Sequence, residues 1–106
     1  MLREISPREL KQLLDRGEEV VVLDVREGEE LALAALPAAR HIPMRDIPAR
    51  LGELERDREI VVLCHHGIRS ARVAQFLAQR DFPRVANLVG GIDAWSTTVD
   101  PKVPRY

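Results

Sequence analysis

Two short segments constrain the fold of this chain more than anything else in it. Val20-Val-Val-Leu-Asp-Val25 and Ile60-Val-Val-Leu63 are runs of β-branched and aliphatic residues with almost no polar interruption. A strand with one wet face alternates apolar and polar residues, whereas an unbroken apolar run belongs to a strand covered on both faces, as the parallel strands of α/β domains are. Each run is followed by a segment that reads as helix. A Glu-rich turn spans Glu27 to Ala35, and Ala71, Val73, Ala74, Leu77 and Ala78 keep helical spacing up to Arg80. Strands alternating with helices predict an α/β fold: a mainly parallel central sheet with helices on both faces, joined by right-handed crossovers.

The remaining segments fit that plan. Ser6, Pro7 and Glu9 have the form of a capping box with proline at the first helical position, ahead of the apolar stripe Leu10, Leu13 and Leu14, and Gly17 closes the helix. Arg40 to Met44 reads as a short strand, and Leu51 and Leu54 predict a modest helix over 46–56. Val85 to Val89 is another strand, Gly90-Gly91 a tight turn, and Ile92 to Thr97 a short helix. At 106 residues, with no repeat or linker, the chain reads as a single domain, 1–106.

Composition narrows the function classes. Lys plus Arg (16) nearly cancels Asp plus Glu (17), so no strong field marks a nucleic-acid or acidic-lipid binder. No segment approaches the roughly 18 to 20 apolar residues of a membrane span. One cysteine excludes an internal disulfide, and the N-terminal segment lacks the apolar stretch of a secretory signal, so a reducing, cytoplasmic setting is expected.

That cysteine, Cys64, stands at the end of the second buried strand, followed by His65, His66, Gly67, Ile68, Arg69 and Ser70. In open α/β sheets ligands bind beyond the carboxyl ends of strands, where loops and helix N-termini converge. A segment between strand 60–63 and helix 70–80 can curl so that its backbone N–H groups point inward, with the helix dipole behind them, which stabilises an anion or a thiolate at the centre. Free cysteines are often small core residues. Two histidines, a glycine, an arginine and a serine directly after this one make a polar loop instead, and favour a nucleophile.

These residues resemble the active-site loop of the rhodanese domain. Two other segments agree: Leu23-Asp24-Val25-Arg26-Glu27 with Glu30 and Leu36 to Pro43 is similar to the first family signature, and Val89-Gly90-Gly91-Ile92-Asp93-Ala94-Trp95 to the last. The resemblance runs from about Ile5 to Trp95, and departs from the family pattern at Ala34-Ala35 and Ala38-Ala39. It implies a rhodanese-like sulfurtransferase. Cys64 would take a sulfane sulfur from a donor such as thiosulfate, become a persulfide, and pass the sulfur to cyanide, a thiol or an acceptor protein. The loop His65, His66, Gly67, Ile68, Arg69 and Ser70 would bind the substrate. With no second cysteine, the acceptor comes from outside, and no cofactor is called for.

Arg69 suits an oxyanion such as thiosulfate, with local surface pairing as the alternative. Ser70 reads as the cap of helix 70–80, its hydroxyl also able to face the sulfur. No metal is expected: adjacent histidines on a tight loop tend to diverge, and His41, His65 and His66 lack the spaced pairs of zinc sites. Asp24, Arg26 and Glu30 read as a structural ion-pair network tying the first buried strand to its helix. Trp95 reads as a core or cleft-wall anchor, and Thr97 to Tyr106 as a tail that packs or frays. Three rivals remain: a sulfur carrier, a redox sensor using an exposed Cys64, and a cysteine-dependent phosphatase or arsenate reductase. The last is disfavoured by loop length, since those enzymes hold one more residue between cysteine and arginine than the four found here.

Overall fold

A computed structural model describes residues 2–106. The elements follow in the order β1 (Glu4–Ile5), α1 (Pro7–Asp15), β2 (Val20–Asp24), α2 (Gly28–Leu33), β3 (Arg40–His41), β4 (Glu59–Leu63), α3 (Ile68–Ala78), β5 (Val85–Leu88) and α4 (Gly91–Thr98). Two 3₁₀ segments, Met44–Asp46 and Pro48–Glu53, lie between β3 and β4. The five strands form one sheet, ordered β1-β5-β4-β2-β3, and every pairing is parallel.

The two apolar runs are adjacent in the middle of this sheet. Val20 lies opposite Glu59 and Asp24 opposite Leu63, so β2 and β4 end level with each other. Their side chains divide by the two-residue period of a strand. Leu23, Ile60 and Val62 point to one face, where Val73, Ala74, Leu77, Ile47 and Phe82 cover them. Val22, Val61 and Leu63 point to the other, against Leu10, Ile92 and Trp95 of α1 and α4. Two separate cores thus explain why neither run carries a polar alternation.

Local chemistry sets the element ends. The Ser6 hydroxyl accepts the Glu9 N–H and the Glu9 carboxylate accepts the Ser6 N–H, both at 3.1 Å, with Pro7 opening α1. A second, unexpected box starts α2, where Glu30 accepts the Glu27 N–H at 3.1 Å. Ala34, at one of the departures from the family pattern, is buried at the end of α2, and its carbonyl is held by Arg26 at 2.8 Å.

Three readings of the sequence need correction. The helix expected over 46–56 is 3₁₀ and kinked at Arg50, because leucines three apart satisfy a 3₁₀ turn as well as an α-helix. The helix expected over 70–80 starts at Ile68, with Gly67 at its N-cap position in the left-handed conformation (φ +101°). Ser70 therefore sits inside the first turn and is not the cap. The strand β1 was not expected at all: two residues long, it pairs with β5 from the far end of the chain.

Candidate active site

The site forms where β2, β4 and β5 end side by side. Cys64 follows β4 immediately, and the N-terminus of α4 holds the backbone there. Ile92 N–H donates to the Cys64 carbonyl at 2.8 Å and Asp93 N–H to the His65 carbonyl at 3.1 Å. Such an approach leaves no room for a side chain at Gly91, where a Cβ would overlap both carbonyls. The Gly90-Gly91 turn expected from the sequence is thus a clamp on the cysteine loop.

Within the loop, the backbone curls around the sulfur. Gly67 N–H lies 3.1 Å and Ser70 N–H 3.3 Å from Cys64 Sγ, and the Ser70 hydroxyl oxygen is also 3.3 Å away. The positive φ of Gly67 makes this reversal possible. Cys64 is 1% exposed and its side chain belongs to the core on the α3 face. The sulfur is therefore both buried, as the core-cysteine alternative requires, and ringed by donors, as that alternative does not.

Asn87, which the sequence reading passed over, supports the curl from behind. It is a buried amide in the otherwise apolar strand β5, and a buried amide must find partners. It finds them in the cysteine loop: its Nδ2 donates to the Gly67 carbonyl at 3.2 Å, and its Oδ1 accepts the Ser70 hydroxyl. The signal was present in the sequence as the chain's lone asparagine within a run of core residues.

Arg69 faces a carboxylate. Its Nη1 and Nη2 donate to the two Glu30 oxygens at 2.6 and 2.9 Å, a two-point pair between α3 and α2. Glu30 also accepts the Tyr106 hydroxyl at 2.7 Å, and that same hydroxyl accepts from Arg26 at 3.0 Å. Hydrogen bonds from Arg69, aided by that from Tyr106, outweigh burial and hold the Glu30 carboxyl at about 2. The same pairing raises the Arg69 guanidinium above its usual range. Arg26 is wholly buried and doubly bonded to Asp24, as the structural reading of these residues expects. Glu30 differs from that reading, since its charge is spent on Arg69 and not on Arg26.

The two histidines do not diverge. Their rings stack at 3.9 Å and 19°, and the ring of Tyr106 stacks on the other face of His65 at 3.8 Å and 7°. The tail beyond α4 is thus packed over the loop, with Val103 buried and Arg105 paired to Asp93. Among the described residues, His65, His66 and Asp93 form a group with metal-ligand atom types within 4.8 Å. Imidazole lone pairs lie in the ring plane, so near-parallel stacked rings do not converge on one ion, and Asp93 is already engaged by Arg105. His41 lies elsewhere, bonded to the Arg26 carbonyl. Ile68 projects from the loop, 70% exposed, and Trp95 is a core residue.

A family profile described as the rhodanese-like domain matches residues 6–98 of this chain. The chain belongs to the rhodanese-like family. A sulfurtransferase of Allochromatium vinosum is 40% identical over 96 residues, covering 91% of this chain and 90% of the relative. The thiosulfate sulfurtransferase GlpE of Actinobacillus pleuropneumoniae is 33% identical over 103 residues, covering 97% and 94%. The crystal structure of a rhodanese-like domain protein from Staphylococcus aureus superposes with a TM-score of 0.86 at 31% identity, over 99% of each chain. The α/β, rhodanese-like fold expected from the sequence is the observed one, and the homology places the chain among sulfurtransferases. Among the described residues no helix is long and apolar enough to cross a membrane.

Proposed function

We propose that this rhodanese-like domain is a sulfurtransferase that takes a sulfane sulfur from a donor such as thiosulfate and carries it as a persulfide on Cys64. The observation that supports it is the convergence of the Gly67 and Ser70 N–H groups on Cys64 Sγ. The Cys64 thiolate attacks the outer sulfur of the donor, the donor's S–S bond breaks, and sulfite leaves with the electron pair. Preorganised N–H donors on Sγ stabilise the attacking thiolate, and stabilise it again when the acceptor regenerates it, without reorganising. An external acceptor, cyanide, a small thiol or the thiol of a partner protein, then attacks the terminal sulfur and regenerates the thiolate. The chain contains no second cysteine to do this internally.

A reducing, cytoplasmic setting suits this chemistry, because it keeps Cys64 unoxidised between turnovers. Loop length argues against phosphoryl chemistry. With four residues between Cys64 and Arg69, and α3 starting at Ile68, the ring closes on one sulfur atom. A tetrahedral phosphate needs a wider circle of donors.

Intact-protein mass spectrometry after incubation with thiosulfate tests the proposal. Wild-type protein is expected to gain one sulfur atom, lost again on adding cyanide, and Cys64→Ser to gain none. An unmodified wild-type thiol after a full donor series would overturn it.

A further inference from the structure

Three arginines are tied into the hydrogen-bond network of the site, and each is already committed to a carboxylate: Arg26 to Asp24, Arg69 to Glu30 and Arg105 to Asp93. Arg69 is the one in the first turn of α3 beside the cysteine loop, and both of its terminal nitrogens donate to Glu30. An anion entering beside the Cys64 thiolate therefore meets a guanidinium whose charge is matched and two of whose five N–H donors are already given to a carboxylate.

Glu30 itself is fixed from three sides. Its backbone lies in the first turn of α2, its Oε1 caps the Glu27 N–H, and its Oε2 accepts the Tyr106 hydroxyl. Tyr106 is in turn anchored by Arg26 and by its ring against His65. A pair locked in this way does not swing aside for an incoming anion without breaking bonds.

We propose that Glu30 is a specificity-determining residue: by occupying Arg69 in a two-point pair braced by Tyr106, it selects reactants at Cys64 for low negative charge and disfavours dianions. The inference deepens the sulfurtransferase reading, on which it rests for the identity of the reaction, and concerns which donors that reaction accepts. Thiosulfate is a dianion approaching a thiolate. A donor with the same sulfane sulfur and one charge fewer avoids part of that repulsion.

Thiosulfate and methanethiosulfonate form the test pair, since a methyl group replaces one charged oxygen on the same sulfur frame. Each gives up its outer sulfur to the thiolate, leaving sulfite or methanesulfinate with the electron pair. The measurement is kcat/KM for each donor with cyanide as acceptor, in wild type, Glu30→Gln and Tyr106→Phe. Glutamine keeps the cap on Glu27 and removes the charge. Glu30→Gln is expected to raise the ratio of thiosulfate to methanethiosulfonate by about tenfold, the scale of one partly solvated charge contact. Tyr106→Phe, which removes the brace and its bond from Arg26 but keeps the Glu30 charge, moves it the same way by less, and serves alone if the glutamine variant does not fold.

A second arm needs no sulfur transfer. The rates at which iodoacetate, an anion, and iodoacetamide, neutral, alkylate Cys64 give the same charge discrimination directly. A rise of the iodoacetate-to-iodoacetamide ratio in the variants supports the proposal, even where neither sulfur donor reacts and the sulfurtransferase reading falls. Unchanged ratios in both arms, with wild-type circular dichroism, overturn it.

Discussion

The Ser70 hydroxyl donates to Asn87 Oδ1, so its oxygen faces Cys64 Sγ, 3.3 Å away, as an acceptor. An amide oxygen cannot donate, and serine has one hydroxyl proton, so that proton serves either Asn87 or the sulfur. With a protonated thiol, the S–H donates to Ser70 and the chain of bonds continues into β5. With a thiolate, the hydroxyl turns to the sulfur, while Asn87 keeps its second hold on the loop through Gly67.

Asn87→Ala tests that arrangement. Removing the amide leaves the buried Gly67 carbonyl without its Asn87 partner and lets the loop shift. The Gly67 carbonyl keeps the Ala71 N–H, so the expected cost by urea denaturation is that of two lost buried hydrogen bonds, about 1–3 kcal/mol of folding stability at about 0.5–1.5 kcal/mol each. Thiocyanate formation from thiosulfate and cyanide should fall more steeply than stability alone accounts for. A variant that is destabilised yet fully active would reduce Asn87 to a packing role.

Gly91→Ala strikes the clamp on the other side of the loop. The added Cβ overlaps the carbonyls of Cys64 and His65, and the residue's φ of +61° is itself unfavourable for alanine. A loss of at least ~2 kcal/mol is expected, which lowers Tm by about 10 °C in a domain of this size. The melting curve checks it, and a Tm within error of wild type would mean that the α4 N-terminus gives way easily.

The Glu30–Arg69 pair gives stability a definite pH dependence. The Glu30 carboxyl is depressed from its usual 4.5 to about 2, mainly by hydrogen bonds from Arg69. A group depressed on folding contributes fully above its unfolded value and loses that contribution as pH falls through the folded one. Glu30→Gln should therefore be the less stable protein at neutral pH, by about 1 kcal/mol because Arg69 is a third exposed and solvent screens the pair. The gap should close as pH falls from 4.5 to 2. Denaturation midpoints of the two proteins across that range decide it, and a gap independent of pH contradicts the pairing.

Wild-type protein should not hydrolyse an aryl phosphate. Both N–H donors that reach Cys64 Sγ come from within the four-residue span to Arg69 or the residue after it, so the ring fits a single atom. The comparison is turnover of aryl phosphate against turnover of thiosulfate with cyanide. Cys64-dependent phosphate hydrolysis exceeding sulfur transfer would defeat the loop-length argument.

Much of this architecture is legible in the chain because it is local. The Ser6–Pro7–Glu9 cap and the two apolar runs are each contained within a few residues, and each led to the element found. The elements that escaped depend on partners far away. β1 is two residues whose only reason to be a strand is Asn87 and Leu88, more than eighty positions on. Tyr106 reaches Arg26 across 80 positions and Glu30 across 76, and no spacing rule connects them. The shift of the α3 start from Ser70 to Ile68 has a local cause, since Gly67 supplies the reversal that a capping serine would otherwise mark.

The short outer strands have a consequence for how such domains tolerate one another. An open sheet usually presents two unpaired backbone rows, which neighbours can extend into aggregates. Here the outermost strands, β1 and β3, are two residues each, and charge stands beside both: Arg3 pairs with Glu59 near one edge and Arg40 with Glu53 near the other. On either outermost strand, copies crowded at high concentration find a ladder of only two residues to lengthen. The fold is thereby insulated against polymerisation by the brevity of its own margins.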